Sequence, residues 1–418
     1  MIKEYIEKEA SFHAFRYIDF RRFIFSKFML TLALQVQFVV LSWQVYQITR
    51  DYLALGLLGL AEAIPAVGFA LYGGYVADRK DRRKIIILVM AAQFLCSIIL
   101  MAVSIYYEKH STESLSVWPF YAIMFGVGLL RGFYSPAQLP LMTQVVPREA
   151  YANSSAWNST FWHIAVVLGS AGGGLLLGFF GKFVTYLIVV IALLIGLIQM
   201  IRVSPQPLRV ILREEGMLVS IKQGIKFVFG KQVIFGAMLL DLIAVLFGGA
   251  LALLPVFASE VLNVGEQGFG FLRAAPFVGS VVIALYMTKH PPLKNAGRKL
   301  LLCVSCFSLC MIFFALSKNY YLSLFILALS GAFDNVSVVI RSTILQMFTP
   351  DEMRGRVASV STMFISSSNE IGAFESGFAA KLLGLVPSVV VGGGIALASV
   401  GVTMFKLPEL RKLDLSAD

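Results

Sequence analysis

The sequence predicts an all-α membrane protein, with twelve transmembrane helices arranged as two pseudo-symmetric six-helix bundles. Three observations carry that expectation: the composition, a series of long apolar runs, and an internal repeat. Of 418 residues 58% are hydrophobic, 34 are Phe and only 14% are charged, against roughly 25% charged in an ordinary soluble protein. The mean hydropathy is +0.80. So much apolar surface excludes a water-soluble enzyme and a disordered chain.

A helix needs about 20 apolar residues to cross a bilayer. Runs between charged breaks place spans at 23–48, 53–77, 85–107, 118–142, 154–180 and 183–203, then at 233–258, 269–287, 300–316, 321–347, 357–383 and 389–405. With the N-terminus inside, and with Arg202 and Lys381 at the span ends counted with the adjoining loops, 26 of the 35 Lys and Arg residues fall in cytoplasmic segments, five in outer segments and four deeper within spans. This bias places both termini in the cytoplasm. It also accounts for the net charge of +11 as an inner face lying against anionic lipid, with no need for nucleic acid. Residues 1–22 are too polar for a cleavable signal peptide, and Phe12, Phe15, Tyr17 and Phe20 beside Arg16, Arg21 and Arg22 suggest a short interfacial helix. The expected division is a cytoplasmic segment 1–22, a six-helix bundle 23–203, a cytoplasmic linker 204–232, a second bundle 233–406 and a tail 407–418.

The two halves repeat. Pro147-Arg148-Glu149 answers Pro350-Asp351-Glu352 at an offset of 203, at which Gly128 meets Gly331, Phe161 meets Phe364, Gly169 meets Gly372 and Gly174 meets Gly377. Spans two and eight align at an offset of 211, Glu62-Ala63-Ile64-Pro65 with Arg273-Ala274-Ala275-Pro276. Two six-helix repeats in one polytopic chain point to a transporter with its site between the halves. The alignment sets Glu62 against Arg273 and Arg131 against Asp334, two reversals of sign. An unpaired charge at mid-membrane costs on the order of 3 kcal/mol, so the expected pairs are Glu62 with Arg131 and Arg273 with Asp334.

Other ionisable groups fall inside spans: Asp241 in span seven, Glu370 and Glu375 in span eleven, His163 in span five and Arg341 near the inner end of span ten. Each is a candidate for proton coupling or substrate contact, or else a packing hydrogen bond. Gln37 and Gln44, seven apart on one face of span one, are candidate cavity-lining residues. Cys303, Cys306 and Cys310 have metal-like spacing, but they sit in an apolar span without a loop to fold around an ion. No metal, cofactor or ATP site is expected, and no GxxxxGK[ST] loop is present.

The loop after span two reads Gly74-Tyr75-Val76-Ala77-Asp78-Arg79-Lys80-Asp81-Arg82-Arg83-Lys84. It resembles the signature loop of the major facilitator superfamily, with Asp81 where that pattern has Gly. Gly74, Asp78, Arg79, Arg82 and Arg83 are therefore the candidate cytoplasmic gate, with Gly74 expected to admit a neighbouring helix. Trp43-Gln44-Val45-Tyr46, Gly132-Phe133-Tyr134-Ser135-Pro136-Ala137 and Thr349-Pro350-Asp351-Glu352-Met353-Arg354-Gly355-Arg356-Val357 are similar to the branch of bacterial macrolide and enterobactin exporters. That similarity runs from about His13 to Pro387. It implies a proton-driven exporter of a bulky small molecule in the bacterial inner membrane, acting as a monomer. Spans one, four, seven and ten line the cavity in such proteins, which puts Asp241 and Asp334 first among the acids, then Glu62 and Glu370.

The chain departs from the branch in three places. Ala33-Leu34 stands where span one often has Gly-Asp. Ser170 replaces the Pro of the span-five antiporter signature. The span-four Arg of many proton-coupled members would fall near Gly128, and Arg131 lies one turn on. A lipid or lysolipid flippase and an uptake symporter are the alternatives on the same fold. An enzyme is not expected: four His residues, no HExxH and no GxSxG leave no catalytic constellation.

Overall fold

The computed structural model describes residues 13–110, 116–206, 217–350 and 353–416, and every element among them is helical. Besides several pieces of five residues or fewer, the helices are α1 (Ile18–Thr49), α2 (Tyr52–Arg79), α3 (Arg82–Lys109), α4 (Trp118–Gln144), α5 (Tyr151–Ile201), α6 (Met217–Gly230), α7 (Gln232–Gly248), α8 (Gly265–Met287), α9 (Ala296–Leu316), α10 (Tyr320–Met347), α11 (Arg354–Leu383) and α12 (Leu385–Lys406). Among the described residues nine helices are long and apolar enough to cross a membrane. One of them runs over 49 residues, Asn153–Ile201, which as straight helix would reach about 74 Å against a hydrocarbon core of about 30 Å. Gly181 breaks it, with φ 74° and ψ 179°, a backbone region essentially closed to residues with a Cβ. The α4 and α11 helices, of 27 and 30 residues, are long enough to cross but fall outside that set.

The N-terminal segment differs from expectation. His13–Arg16 form one 3-10 turn, and α1 begins at Ile18, so Asp19, Arg21 and Arg22 belong to the first turns of the span. Residues 1–12 lie outside the described part of the chain, as do Asp351 and Glu352 of the repeated motif. The linker contains a helix that hydropathy alone did not pick out, α6.

Residues cluster into two compact units, one of 1–48 with 61–212, the other of 49–60 with 213–418. In the first, Phe20, Phe23, Ile86, Met90, Leu141, Leu193 and Met200 form the core. In the second the core is built from Val228, Ile234, Leu240, Leu300, Ile344, Val360 and Leu410. The segment Thr49–Leu60 belongs to the second unit through its own contacts. Asp51 pairs with Lys381 at 3.0 Å, the Tyr52 hydroxyl donates to Glu260 at 3.3 Å, and Gly56 lies against the backbone of Phe374. The tail also docks. Leu410 is fully buried against Gly297, and the Leu415 amide donates to the Leu293 carbonyl. Ser416 donates to Asp414 and holds that carboxyl below the ordinary aspartate range.

Helices meet where glycine lets backbones touch, because lipid offers no hydrophobic drive to helix association and close packing must supply it. The repeat is visible in these contacts. A Cβ on Gly169 would fall 2.8 Å from the Leu32 carbonyl, and one on its equivalent Gly372 2.9 Å from that of Val245. Gly128 and Gly331 likewise abut backbone on α2 and α8. In the signature loop the tight approach belongs to Gly73, not Gly74. A Cβ on Gly73 would lie 2.3 Å from the Gly132 carbonyl, whereas one on Gly74 would find only Pro136 Cβ at 3.9 Å. These neighbours should therefore differ sharply. Gly74→Ala is expected to leave thermal unfolding in detergent within about 0.5 kcal/mol of wild type, and Gly73→Ala to cost about 1–3 kcal/mol by overpacking.

Candidate transport site

The loop between α2 and α3 is held by charge. Asp81, placed where the family pattern has Gly, is the N-cap of α3: its carboxylate accepts from the Arg83 and Lys84 amides, satisfying donors that a helix start leaves open. Arg82 is buried, lies 3.7 Å from Asp78 and donates to the Ala77 carbonyl at 3.0 Å. Arg83 donates to the Ile201 carbonyl at 2.6 Å and Arg22 to that of Arg202 at 2.6 Å, so two cations sit on the negative C-terminal end of α5. Arg79 lies 4.2 Å over the ring of Tyr75. The five residues singled out from the sequence thus stand at one end of the first unit.

Inside the first unit, Arg131 donates to Glu62 at 2.9 Å, the expected pair. Glu62 is largely shielded, while 46% of the Arg131 side chain stays exposed. Lys27 donates to Asn158 at 2.7 Å. His163 packs edge-on against Trp162 with ring centroids 4.9 Å apart. Gln37 and Gln44, expected to line a cavity, are instead buried within the first unit. Gln37 accepts from Ser97 at 2.5 Å, and Gln44 from Ser104 at 3.1 Å and Tyr186 at 3.4 Å. The reason is that their α1 face meets the hydroxyl-bearing face of α3, where amide oxygens find donors.

The second unit resolves its charges differently. The expected pair of Arg273 with Asp334 does not form. Asp334 has no ion-pair partner among the described residues, and Arg273 is engaged elsewhere. Two causes are visible. Helical side chains lean toward their own N-terminus. In the first unit the base is the later of the two residues, so the long Arg131 side chain reaches back to Glu62. With the signs reversed, Arg273 leans away from Asp334, and an aspartate is too short to close the gap. The register adds to this: Gly128 meets the carbonyl of Glu62, whereas its equivalent Gly331 meets that of Pro276, three residues further along.

The acid that is paired is Asp241, with Arg341; both are buried. Asp241 lies nine residues after the start of α7 and Arg341 six before the end of α10, so both sit about 9–14 Å from the same end of the second unit. Depth counting along the two spans contained this pairing, which the repeat alignment missed. Glu375 lines a small cavity with Phe247, Gly249, Ala250, Leu253 and Ser388, at the point where α7 gives way to a 3-10 turn, Ala250–Leu253, followed by a short α turn and a π turn that carry the helical path on to Val261. Ser376 donates to the Gly249 carbonyl there at 2.9 Å. Glu370 lies on α11, and its side chain falls outside the described part of the structure. The three cysteines of α9 carry no disulfide, and no group of three or more His, Cys, Asp or Glu that could hold a metal is found among the described residues.

Comparison with known proteins bears on what such an arrangement serves. The sequence pattern of the transmembrane secretion effectors matches residues 9–418. An enterobactin exporter of Escherichia coli O1:K1 is 26% identical over 404 residues, covering 94% of this chain and 92% of its own. A D-xylose-proton symporter superposes with a TM-score of 0.69 at 17% identity, over 96% of this chain and 100% of that one. A bacterial homologue of the iron transporter ferroportin gives 0.70 at 16%, over 94% and 98%. At these identities the two structures speak for the fold alone.

Breaking a buried ion pair from one side strands the other charge, at about 3–5 kcal/mol, whereas replacing both partners is often neutral. Asp241→Asn is therefore expected to lower the melting temperature in detergent clearly, and Asp241→Asn with Arg341→Met to recover most of the loss.

Proposed function

Because the chain belongs to the transmembrane secretion effectors of the major facilitator superfamily, we propose that it exports a bulky small molecule across the bacterial inner membrane by proton-coupled alternating access. The observation that carries this reading is the end-to-end similarity to enterobactin exporters, which favours a siderophore over a drug or macrolide. In this reading α5 makes two passes and α4 and α11 join the other spans, for twelve in two six-helix bundles, with both termini cytoplasmic in keeping with the Lys and Arg bias.

Protons need a carboxylate that gains and loses charge as access changes. Asp334 is the first candidate, being half-buried in α10 without an ion-pair partner among the described residues. Glu375, facing its small cavity, is the second. Asp241 and Glu62 are neutralised by Arg341 and Arg131, and in this reading they set local structure while Asp334 titrates.

Proteoliposomes with an internal pH dye test the reading. A catecholate siderophore added to wild type should move protons, and Asp334→Asn should slow that movement at least tenfold while Glu62→Gln retains it. A siderophore that crosses without protons would make the protein a facilitator. Movement of a lysolipid alone would make it a flippase, and proton-linked accumulation in the opposite sense an uptake symporter. Orientation is read separately, by labelling single cysteines placed at 205 and at 318 in a background without Cys96, Cys303, Cys306 and Cys310. Residue 205 should react only from the cytoplasmic side and residue 318 only from outside.

A further inference from the structure

The linker helix α6 has two faces. On one, Val228 is fully buried in the core of the second unit and Phe227 packs against it. Gly224 sits on the first turn of α11, where a Cβ would fall 2.9 Å from the Arg356 carbonyl, and the Arg356 guanidinium donates to Gln223. The other face is exposed and carries Lys222, Ile225, Lys226 and Phe229. At 3.6 residues per turn these four fall within an arc of about 100°. Lys231, also exposed, follows directly.

The level of this face is fixed by the chain. The α7 span begins at Gln232, and the ring of Phe229 lies 4.9 Å from that of Phe235 in its first turn. The exposed aromatic and aliphatic side chains are thus held beside a helix that is entering lipid. Three lysines flank them, and residues 217–240 contain no Asp or Glu. A lysine-rich face with aromatic and aliphatic anchors, set at the membrane boundary, is the pattern of a helix lying on charged lipid.

We propose that this face of α6 is a docking surface for the headgroups of anionic phospholipid, Lys222, Lys226 and Lys231 meeting phosphate while Ile225 and Phe229 enter the acyl boundary. The buried face then transmits the contact: through Gly224 and Gln223 the lipid-bound helix steadies the first turn of α11 at Arg356.

The test uses the full chain in nanodiscs, either of phosphatidylcholine alone or with one third phosphatidylglycerol. It needs neither transport nor a known orientation, because both leaflets have the same composition. Native mass spectrometry should show phosphatidylglycerol retained on wild type, with apparent affinity falling about fivefold for each lysine changed to Gln. Hydrogen exchange over 217–230 should be slower in the anionic discs, and the difference should vanish in Lys222→Gln/Lys226→Gln/Lys231→Gln. Changing the same three to Arg should restore it. Unchanged exchange over α8 and α10 shows that the variants are folded. Equal exchange in the two lipids, or a triple Gln variant that responds like wild type, overturns the proposal.

Discussion

Backbone contact through glycine is the constraint on which the rest of this structure depends. Helices in lipid gain nothing from hiding apolar surface from one another, so each unit is set by the places where two main chains can touch. Gly169 on Leu32 and Gly372 on Val245 do this at equivalent points of the repeat, and Gly128 and Gly331 do it one helix pair away. These contacts decide which residues share a depth, and depth decides which charges meet. A slip of three residues between Gly128 and Gly331 in what they touch separates a unit in which the acid and base of the repeat join from one in which they do not.

Direction matters as much as depth. A helical side chain leans back along its own helix, so an acid and a base exchanged between two helices are not interchangeable: the long side chain must be the one that leans toward the short one. The first unit satisfies this with Arg131 and Glu62. The second holds the reversed charges, and its arginine on α10 reaches the acid of α7 instead. The same repeat therefore yields one unit whose repeat carboxylate is matched and one whose repeat carboxylate, Asp334, is left without an ion-pair partner among the described residues. That difference is what gives proton coupling a place to reside in the proposed mechanism.

Much of the helical pattern was legible in composition and charge spacing, because crossing lipid imposes a length and an apolarity that a sequence cannot hide. What escaped lay where those two rules fall silent. The α6 helix reads as a loop because its apolar stripe is narrow and its lysines look like solvent contacts. The join within α5 looks like any gap between spans, yet it turns on Gly181 alone. Asp81 looked like damage to a family pattern and is a helix cap. Gln37 and Gln44 do share one face, but a face does not say what it meets, and this one meets the serines of α3. The pairing of Asp241 with Arg341 was available from depth alone. The repeat, a stronger signal, drew attention to the wrong partner.

The segment Thr49–Leu60 has a consequence for how this chain is made. It leaves the ribosome early, yet Asp51 finds Lys381 across 330 residues of sequence. At a synthesis rate of about 5–20 residues per second, that wait lasts roughly 15–65 s. Through all of it, Gly56 and the polar residues at the start of the segment, Asp51 and Tyr52, stand in a nascent helix hairpin whose natural neighbours do not yet exist. Biogenesis thus passes through an interval in which an early hairpin is finished in sequence but unfinished in packing. An insertion chaperone would find its exposed glycine face there, and a degradation system its opportunity.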